Sequence, residues 1–141
     1  MEGGEVAADE RRPIVLIVED DVNNRAVLQA VVEDIVGAAT MLADGGREAL
    51  EVVRQTVPDL VLLDLLIPEP DGFAVARLLK ADPATARVPI IAFSASTRSE
   101  QREAAYAAGC DRFISKPFDI DVVEESIRDL LGGASGAGRI L

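Results

Sequence analysis

Side chains that could do chemistry stand directly after the apolar runs of this sequence: Glu19, Asp20, Asp64, Ser94 and Lys116. Asp64 closes the run 60–63, and an Asp in that position has no packing reason to be there. If these runs are neighbouring strands of one sheet, their carboxyl ends meet at one edge. The acids, the hydroxyl and the ammonium would then lie together.

Three carboxylates brought to one place repel each other and raise each other's pKa values. A divalent cation relieves this repulsion, and oxygen ligands without His or Cys favour Mg²⁺ or Mn²⁺. Mg²⁺ usually keeps one or two carboxylates and fills its other positions with water and phosphate oxygens. Glu19, Asp20 and Asp64 therefore predict a metal site that handles phosphate.

Asp64 also has the chemistry of a nucleophile, because a carboxylate can attack phosphorus and form an aspartyl phosphate. A phosphoryl group in transfer carries negative charge on three oxygens. Mg²⁺ would stabilise one oxygen, the Lys116 ammonium a second, and the Ser94 hydroxyl with backbone N–H groups the third.

The composition excludes several other functions. The chain has no histidine, which removes Ser-His-Asp and Cys-His catalysis and every His-ligated metal site. A formal net charge of −11 repels nucleic acid. The single cysteine, Cys110, cannot form an internal disulfide and is expected to be a small packing residue.

The apolar runs are all too short to span a membrane. The N-terminal residues 1–12 are acidic and contain glycine, without the apolar stretch of a signal peptide. We therefore expect a cytoplasmic protein without a membrane partner.

The hydrophobic pattern alternates between strands and helices five times. The predicted strands are 14–18, 38–42, 60–63, 89–93 and 112–115. Right-handed crossovers then give a doubly wound α/β fold, in which helices cover both faces of a parallel sheet. Five such units fit the flavodoxin-like strand order 2-1-3-4-5, with ligands bound beyond the carboxyl ends of the strands.

Helix boundaries follow from the turn and capping residues. The apolar positions of the first helix are Leu28, Val31, Val32 and Ile35, and Gly37 can end it. The predicted capping residues of later helices are Asp44, Asp71 and either Asp119 or Asp121. The folded domain is expected over 13–131, between a loose leader (1–12) and a flexible Gly/Ser-rich tail (132–141).

Four segments together carry a family resemblance: IVLIVEDD (14–21), LVLLDLLIPEPDGF (60–73), PIIAFSAS (89–96) and FISKPF (113–118). In this order and at these separations they resemble the receiver domains of two-component response regulators. The resemblance covers 14–131, the whole of the predicted domain. It implies a signalling phosphoacceptor, which catalyses only its own phosphorylation and slow dephosphorylation, and not an enzyme.

The resemblance also implies a role for single residues. Asp20 would bind the metal directly, Glu19 mainly through water, and Leu66 through its backbone carbonyl. Asp64 would be the phosphoacceptor. The remaining roles fall to Ser94 as the switch hydroxyl, Phe113 as the switch aromatic, Lys116 as the phosphate-binding lysine, and Lys116–Pro117 as a cis peptide.

The partners implied are a sensor histidine kinase or a histidine phosphotransfer protein, and a downstream protein target. The surface of the fourth helix, fifth strand and fifth helix would change on phosphorylation, and a homodimer could form through it. The chain could be a stand-alone regulator or a piece of a hybrid kinase or larger regulator.

Two other functions stay open from the sequence. A pseudo-receiver would be a protein-binding scaffold that never takes phosphate. A phosphatase of the haloacid dehalogenase type also uses a strand-end Asp and Mg²⁺, but it needs a second Asp where this chain has Leu66. Taken singly, each residue has a simpler explanation: Asp21 as a helix cap, Ser94 as a loop hydroxyl, Phe113 as core.

Overall fold

The computed structural model describes residues 12–96 and 98–139, with side-chain surroundings as far as residue 132. Its strands are β1 (Ile14–Val18), β2 (Ala39–Ala43), β3 (Leu60–Asp64), β4 (Ile90–Ser94) and β5 (Arg112–Ser115). They form one parallel sheet in the order β2-β1-β3-β4-β5. This is the predicted flavodoxin-like topology.

Helices cover both faces of the sheet, and alternate residues of each strand point to opposite faces. One face forms a core that we call the Leu63 core, with strand residues Leu16, Val18, Val61, Leu63, Ile90 and Ala92. The opposite face forms the Leu62 core, with strand residues Val15, Ile17, Leu60, Leu62, Ile91 and Phe93. Burial on both sides explains why the central strands β1, β3 and β4 are apolar almost throughout.

Five helices cover these two cores. They are α1 (Val22–Ala30), α2 (Gly46–Gln55), α3 (Gly72–Ala81), α4 (Ser99–Ala107) and α5 (Ile120–Arg139). Helices α1 and α5 pack on the Leu62 core through Leu28 and Ile127. Helices α2, α3 and α4 pack on the Leu63 core through Val53, Leu79 and Ala105. The sheet is therefore wound on both sides, as the alternation predicts.

A π-helical segment, Val31–Val36, continues α1 and changes which residues face the core. Its last turn is closed by a bond from the Gly37 amide to the Val32 carbonyl, an i→i+5 contact that widens the helix. Ile35, expected on the apolar stripe, is consequently 44% exposed, and Val36 packs on the core instead. Gly37 ends the segment at φ 87°, which is a left-handed conformation that glycine adopts without strain.

Two of the strands lie one residue later than predicted. β2 covers Ala39–Ala43 where the pattern predicts 38–42, and β4 covers Ile90–Ser94 where it predicts 89–93. β3 includes Asp64, which the sequence places just after the strand. Asp64 and Ser94 are thus strand residues, and the sheet holds their backbone.

The predicted caps are confirmed with one exception. Asp71 accepts a bond from the Ala74 amide at 2.9 Å, and Asp119 accepts one from the Asp121 amide at 2.8 Å, so Asp119 is the residue at the start of α5. Asp44 does not cap α2, which begins after Gly45. Its carboxylate instead forms an ion pair with Arg25 at 2.6 Å.

The chain termini are only partly described. The predicted leader lies outside the described residues except for Arg12. Helix α5 includes residues 132–139, where the composition predicts an irregular tail; adding residues to an existing helix costs less than starting one. The domain limits and the flexibility of the tail stay predictions. Within the described ranges, each helix is too short or too polar to cross a bilayer.

Candidate functional site

The acids of β1 and β3 converge at the carboxyl edge of the sheet. β1 and β3 are hydrogen-bonded neighbours, with Val18 opposite Leu63, so the residues that follow them are adjacent. One carboxylate oxygen from each of Glu19, Asp20 and Asp64 lies within 4.8 Å of the others. The structure thus brings the three predicted carboxylates together at one place.

Lys116 reaches this acidic cluster from the end of β5. Its Nζ lies 3.0 Å from Asp64 Oδ2 and 3.0 Å from Glu19 Oε1. The lysine backbone is fixed by a bond from its amide to the Ser94 carbonyl at 2.8 Å. The Lys116–Pro117 peptide is cis. One ammonium therefore bridges two carboxylates that come from separate strands.

Burial and hydrogen bonding perturb the charged groups of this cluster. Glu19 is 1% exposed, and burial raises the pKa of its carboxyl, assisted by the Asp64 carboxylate and opposed by Lys116. Burial alone would lower the pKa of Lys116, but its hydrogen bonds to Asp64 and Glu19 outweigh that and raise it. Lys116 is consequently held as a cation, while the ionised form of Glu19 is costly.

The donor set fits a divalent cation. Among the described residues, one ammonium, that of Lys116, pairs with two of the three carboxylates, so negative charge remains in excess where two of the acids are buried. All donors are hard oxygens, the kind that Mg²⁺ and Mn²⁺ prefer. Asp20 is exposed, which leaves the cluster open to solvent on one side.

Asp64 is oriented by two bonds, one to each carboxylate oxygen. Oδ1 accepts from the Leu66 amide at 3.0 Å, and Oδ2 accepts from Lys116. The Leu66 side chain is 83% exposed and brings no second acid to the site. The general acid that a haloacid dehalogenase-type phosphatase needs at that position is therefore missing.

Ser94 and Phe113 lie on the two strands beyond β3. Ser94 follows Phe93, the register partner of Asp64, and is 7% exposed; its Oγ accepts from the Ser96 amide at 3.1 Å. Phe113 on β5 is partly buried against the Leu63 core. The structure places Ser94 next to the Asp64 strand end and Phe113 on the α4 side of the sheet.

Two arginines near the site were not identified from the sequence. Arg25 of α1 donates to the Glu19 carbonyl oxygen at 3.3 Å and to Asp44, tying the end of β1 to the end of β2. Arg102 of α4 lies over the Phe113 ring, 5.2 Å from its centroid. Both contacts join segments that are distant in the chain, so neither segment alone predicts them. For Arg25 the one signal is its place four residues after the cap Asp21, a spacing at which opposite charges can pair on a helix.

Asp21, which the sequence suggests is a helix cap and not a ligand, is a cap in the structure. Its side chain accepts a bond from the Asn24 amide at 2.9 Å. Its own amide donates to Glu19 Oε2 at 3.1 Å. Asp21 thus turns the chain into α1 and leaves Glu19 and Asp20 facing the site.

Comparison with known proteins gives one consistent result. The family described as response regulator receiver domain matches residues 15–128. The polar-differentiation response regulator DivK of Brucella ovis is 35% identical over 120 residues, which is 85% of this chain and 97% of DivK.

Two solved structures extend the similarity to the fold. The signal receiver domain of a signal transduction histidine kinase from Syntrophus aciditrophicus has a TM-score of 0.80 and 33% identity, covering 86% of this chain and 91% of its own. The phosphorylated cyanobacterial phytochrome response regulator RcpA has a TM-score of 0.78 and 25% identity, covering 86% of this chain and 96% of its own.

Proposed function

The chain belongs to the response regulator receiver domain family, and on that premise we propose that Asp64 accepts a phosphoryl group from a partner's phosphohistidine in a Mg²⁺-dependent reaction. Receiver domains of this family act in two-component signalling, with histidine kinases or phosphotransfer proteins on one side and downstream targets on the other. The observation that carries the proposal is the pairing of Asp64 with Lys116 at 3.0 Å inside the acidic cluster.

In the transfer, Asp64 acts as the nucleophile and Lys116 stabilises the phosphoryl oxygens. An Asp64 carboxylate oxygen forms a bond to phosphorus while the phosphorus–nitrogen bond of the phosphohistidine breaks. The electron pair of that bond stays on the imidazole nitrogen, which takes up a proton. The Lys116 ammonium then faces the new phosphoryl oxygens, as it already faces Asp64 Oδ2.

Glu19, Asp20, Asp64 and the Leu66 carbonyl would hold the metal, with Asp20 as a direct ligand and Glu19 mainly through water. A bound Mg²⁺ supplies positive charge that offsets the carboxylates and the phosphoryl oxygens. Mn²⁺ suits the same oxygen donors. The excess of negative charge around Glu19 and Asp64 supports this assignment.

Phosphorylation would act on the rest of the molecule through Ser94 and Phe113. The Ser94 hydroxyl would turn toward the phosphoryl group, and the Phe113 ring would move inward behind it. This is a shift between two arrangements, driven by new charge at Asp64. The surface formed by α4, β5 and α5 would change and become the contact for a target protein or a second copy.

A titration with beryllofluoride, a phosphoryl mimic, tests the proposal in the presence of Mg²⁺. We expect a saturable change in the amide NMR spectrum of the native chain, which Asp64→Asn abolishes. Asp71→Asn is the matched control, because Asp71 is exposed and Asn caps a helix as well as Asp does. A native chain without any saturable response would instead favour a pseudo-receiver scaffold.

A further inference from the structure

We infer that Gly46, in the first turn of α2, is a positioning residue for the loop between Asp64 and α3. Because Gly46 has no side chain, residues 65–70 can lie against α2, in the conformation that we propose presents the Leu66 carbonyl to a divalent cation. The inference rests on the proposed function, because the loop carries Leu66, whose carbonyl is one of the proposed metal ligands.

The loop comes closer to Gly46 than any side chain would allow. The Gly46 amide donates to the Pro68 carbonyl oxygen at 3.2 Å. A Cβ placed on Gly46 would lie 1.9 Å from the Pro70 carbonyl oxygen and 2.9 Å from its carbonyl carbon. Since φ at Gly46 is not positive, close approach and not backbone conformation is what demands glycine here.

The loop is also held at its other end. The Leu66 amide is bonded to Asp64 Oδ1 at 3.0 Å, and the Leu65 carbonyl accepts from the Gly72 amide at 3.1 Å. A Cβ on Gly72 would lie 2.5 Å from the Leu65 Cα. Two glycines, from α2 and from α3, therefore allow both helices to press on the same short segment.

The loop has few ways to absorb a displacement. Pro68 and Pro70 each fix their own φ angle, and each restricts the residue before it. A side chain at position 46 must push the Pro70 carbonyl away, since the clash is with backbone and not with a flexible side chain. We expect that movement to reach Leu66 and, through its amide, Asp64.

The neighbouring glycine provides a matched control. A Cβ on Gly45 would lie 3.4 Å from the Pro68 Cβ and the Pro68 carbonyl oxygen, which is a contact that needs little adjustment. Gly45 has φ −167°, which is an extended backbone that any residue adopts. Gly45→Ala thus adds the same methyl group beside the same loop without displacing it.

Two NMR measurements on the full chain test the inference. In a chelating buffer, Gly46→Ala should speed hydrogen exchange of the Leu66 amide, because its bond to Asp64 is weakened. In a Mg²⁺ titration, Gly46→Ala should weaken binding by about tenfold, the lower end of what loss of a supporting contact costs a metal site. Gly45→Ala should match the native chain in both measurements.

A second variant covers the case in which Gly46→Ala fails to fold. In a Pro70→Gly background the loop can yield to the added methyl group, so Gly46→Ala is made there as well. Relative to Pro70→Gly alone, the double variant should show faster Leu66 exchange and weaker Mg²⁺ binding. A folded Gly46→Ala variant that binds Mg²⁺ as its parent does, whether the parent is the native chain or Pro70→Gly, would overturn the inference alone. A native chain that does not bind Mg²⁺ would overturn the proposed function, and the inference with it.

Discussion

Lys116 Nζ and Asp64 Oδ2 lie 3.0 Å apart although the two residues are 52 positions apart in the chain. β5 and β3 are not neighbours, since β4 lies between them, so the lysine spans a strand to reach the acid. Its ammonium also contacts Glu19 at 3.0 Å. The two buried carboxylates therefore share one cation, which comes from the end of the edge strand β5.

Replacing Lys116 with Met should destabilise the metal-free protein. Asp64 and Glu19 would lose their shared cation while still buried, which costs about 1–3 kcal/mol in the free energy of unfolding. Urea unfolding in a chelating buffer measures this loss, and added Mg²⁺ should recover part of it because the metal binds only the folded state. A variant as stable as the native chain in the chelator would contradict the assigned charge balance.

Glu19→Gln should change how stability depends on pH. The pKa of Glu19 is raised above its ordinary 4.5, so between those two pKa values the folded state binds more protons than the unfolded state. Stability from this group therefore falls as pH rises above 4.5 and levels off beyond the raised pKa. Glu19→Gln removes that fall, which amounts to about 1.4 kcal/mol for each pH unit between the two pKa values.

Urea unfolding of the metal-free native chain and of Glu19→Gln across this range makes the measurement. The advantage of the variant should grow with pH. Glu100→Gln is the control, because its carboxylate is exposed and lies outside the cluster. A difference between native and Glu19→Gln proteins that stays constant with pH would show that burial does not penalise the Glu19 charge.

Arg102→Ala should shift the equilibrium toward the phosphorylated arrangement. The Arg102 guanidinium lies 5.2 Å from the Phe113 ring centroid, within range of a cation–π attraction. If Phe113 moves inward on phosphorylation, this contact favours the unphosphorylated arrangement. Its removal should lower the half-saturating beryllofluoride concentration by about two- to fivefold.

The ¹⁹F NMR spectrum of protein labelled with fluorophenylalanine follows the Phe113 ring in the same titration. Arg98→Ala is the matched control, since Arg98 precedes the same helix and contacts Glu100 instead. Equal half-saturation for Arg102→Ala and Arg98→Ala would mean that the arginine does not restrain the ring.

Asp71→Ala should cost about 1 kcal/mol in the free energy of unfolding, because the Ala74 amide loses its capping acceptor. Asp71→Asn should cost much less, since the Asn side chain accepts the same bond. Thermal unfolding of both variants provides the comparison. Equal losses for Ala and Asn would show that the charge, and not the cap, stabilises the start of α3.

The sequence predicts the structure correctly where a local pattern of residues determines it. Asp64 follows a run of apolar residues, and Asp71 precedes a helical pattern; both lie where strand and capping rules place them. The meeting of Asp64 with Lys116 was predictable because parallel strands present their carboxyl ends at one edge. Four ordered motifs then made the family identifiable.

The differences arise where distant contacts decide. The Asp44 carboxylate pairs with Arg25 of α1 and so does not cap α2. The π-helical segment at Val31–Val36 exposes Ile35, because its wider turn changes which residues face the core, and a regular 3.6-residue spacing does not predict that change. The stacking of Arg102 on Phe113 joins α4 to β5 and has no signature in either segment.

The most direct test of the account is to find the residue that carries the phosphoryl group. The native chain would be incubated with phosphoramidate and Mg²⁺, and then treated with borohydride, which reduces an aspartyl phosphate to homoserine. Peptide mass spectrometry should locate homoserine at position 64, and Asp64→Asn should yield none. A reduced side chain at another Asp or Glu, or equal labelling of Asp64→Asn, would contradict the central claim.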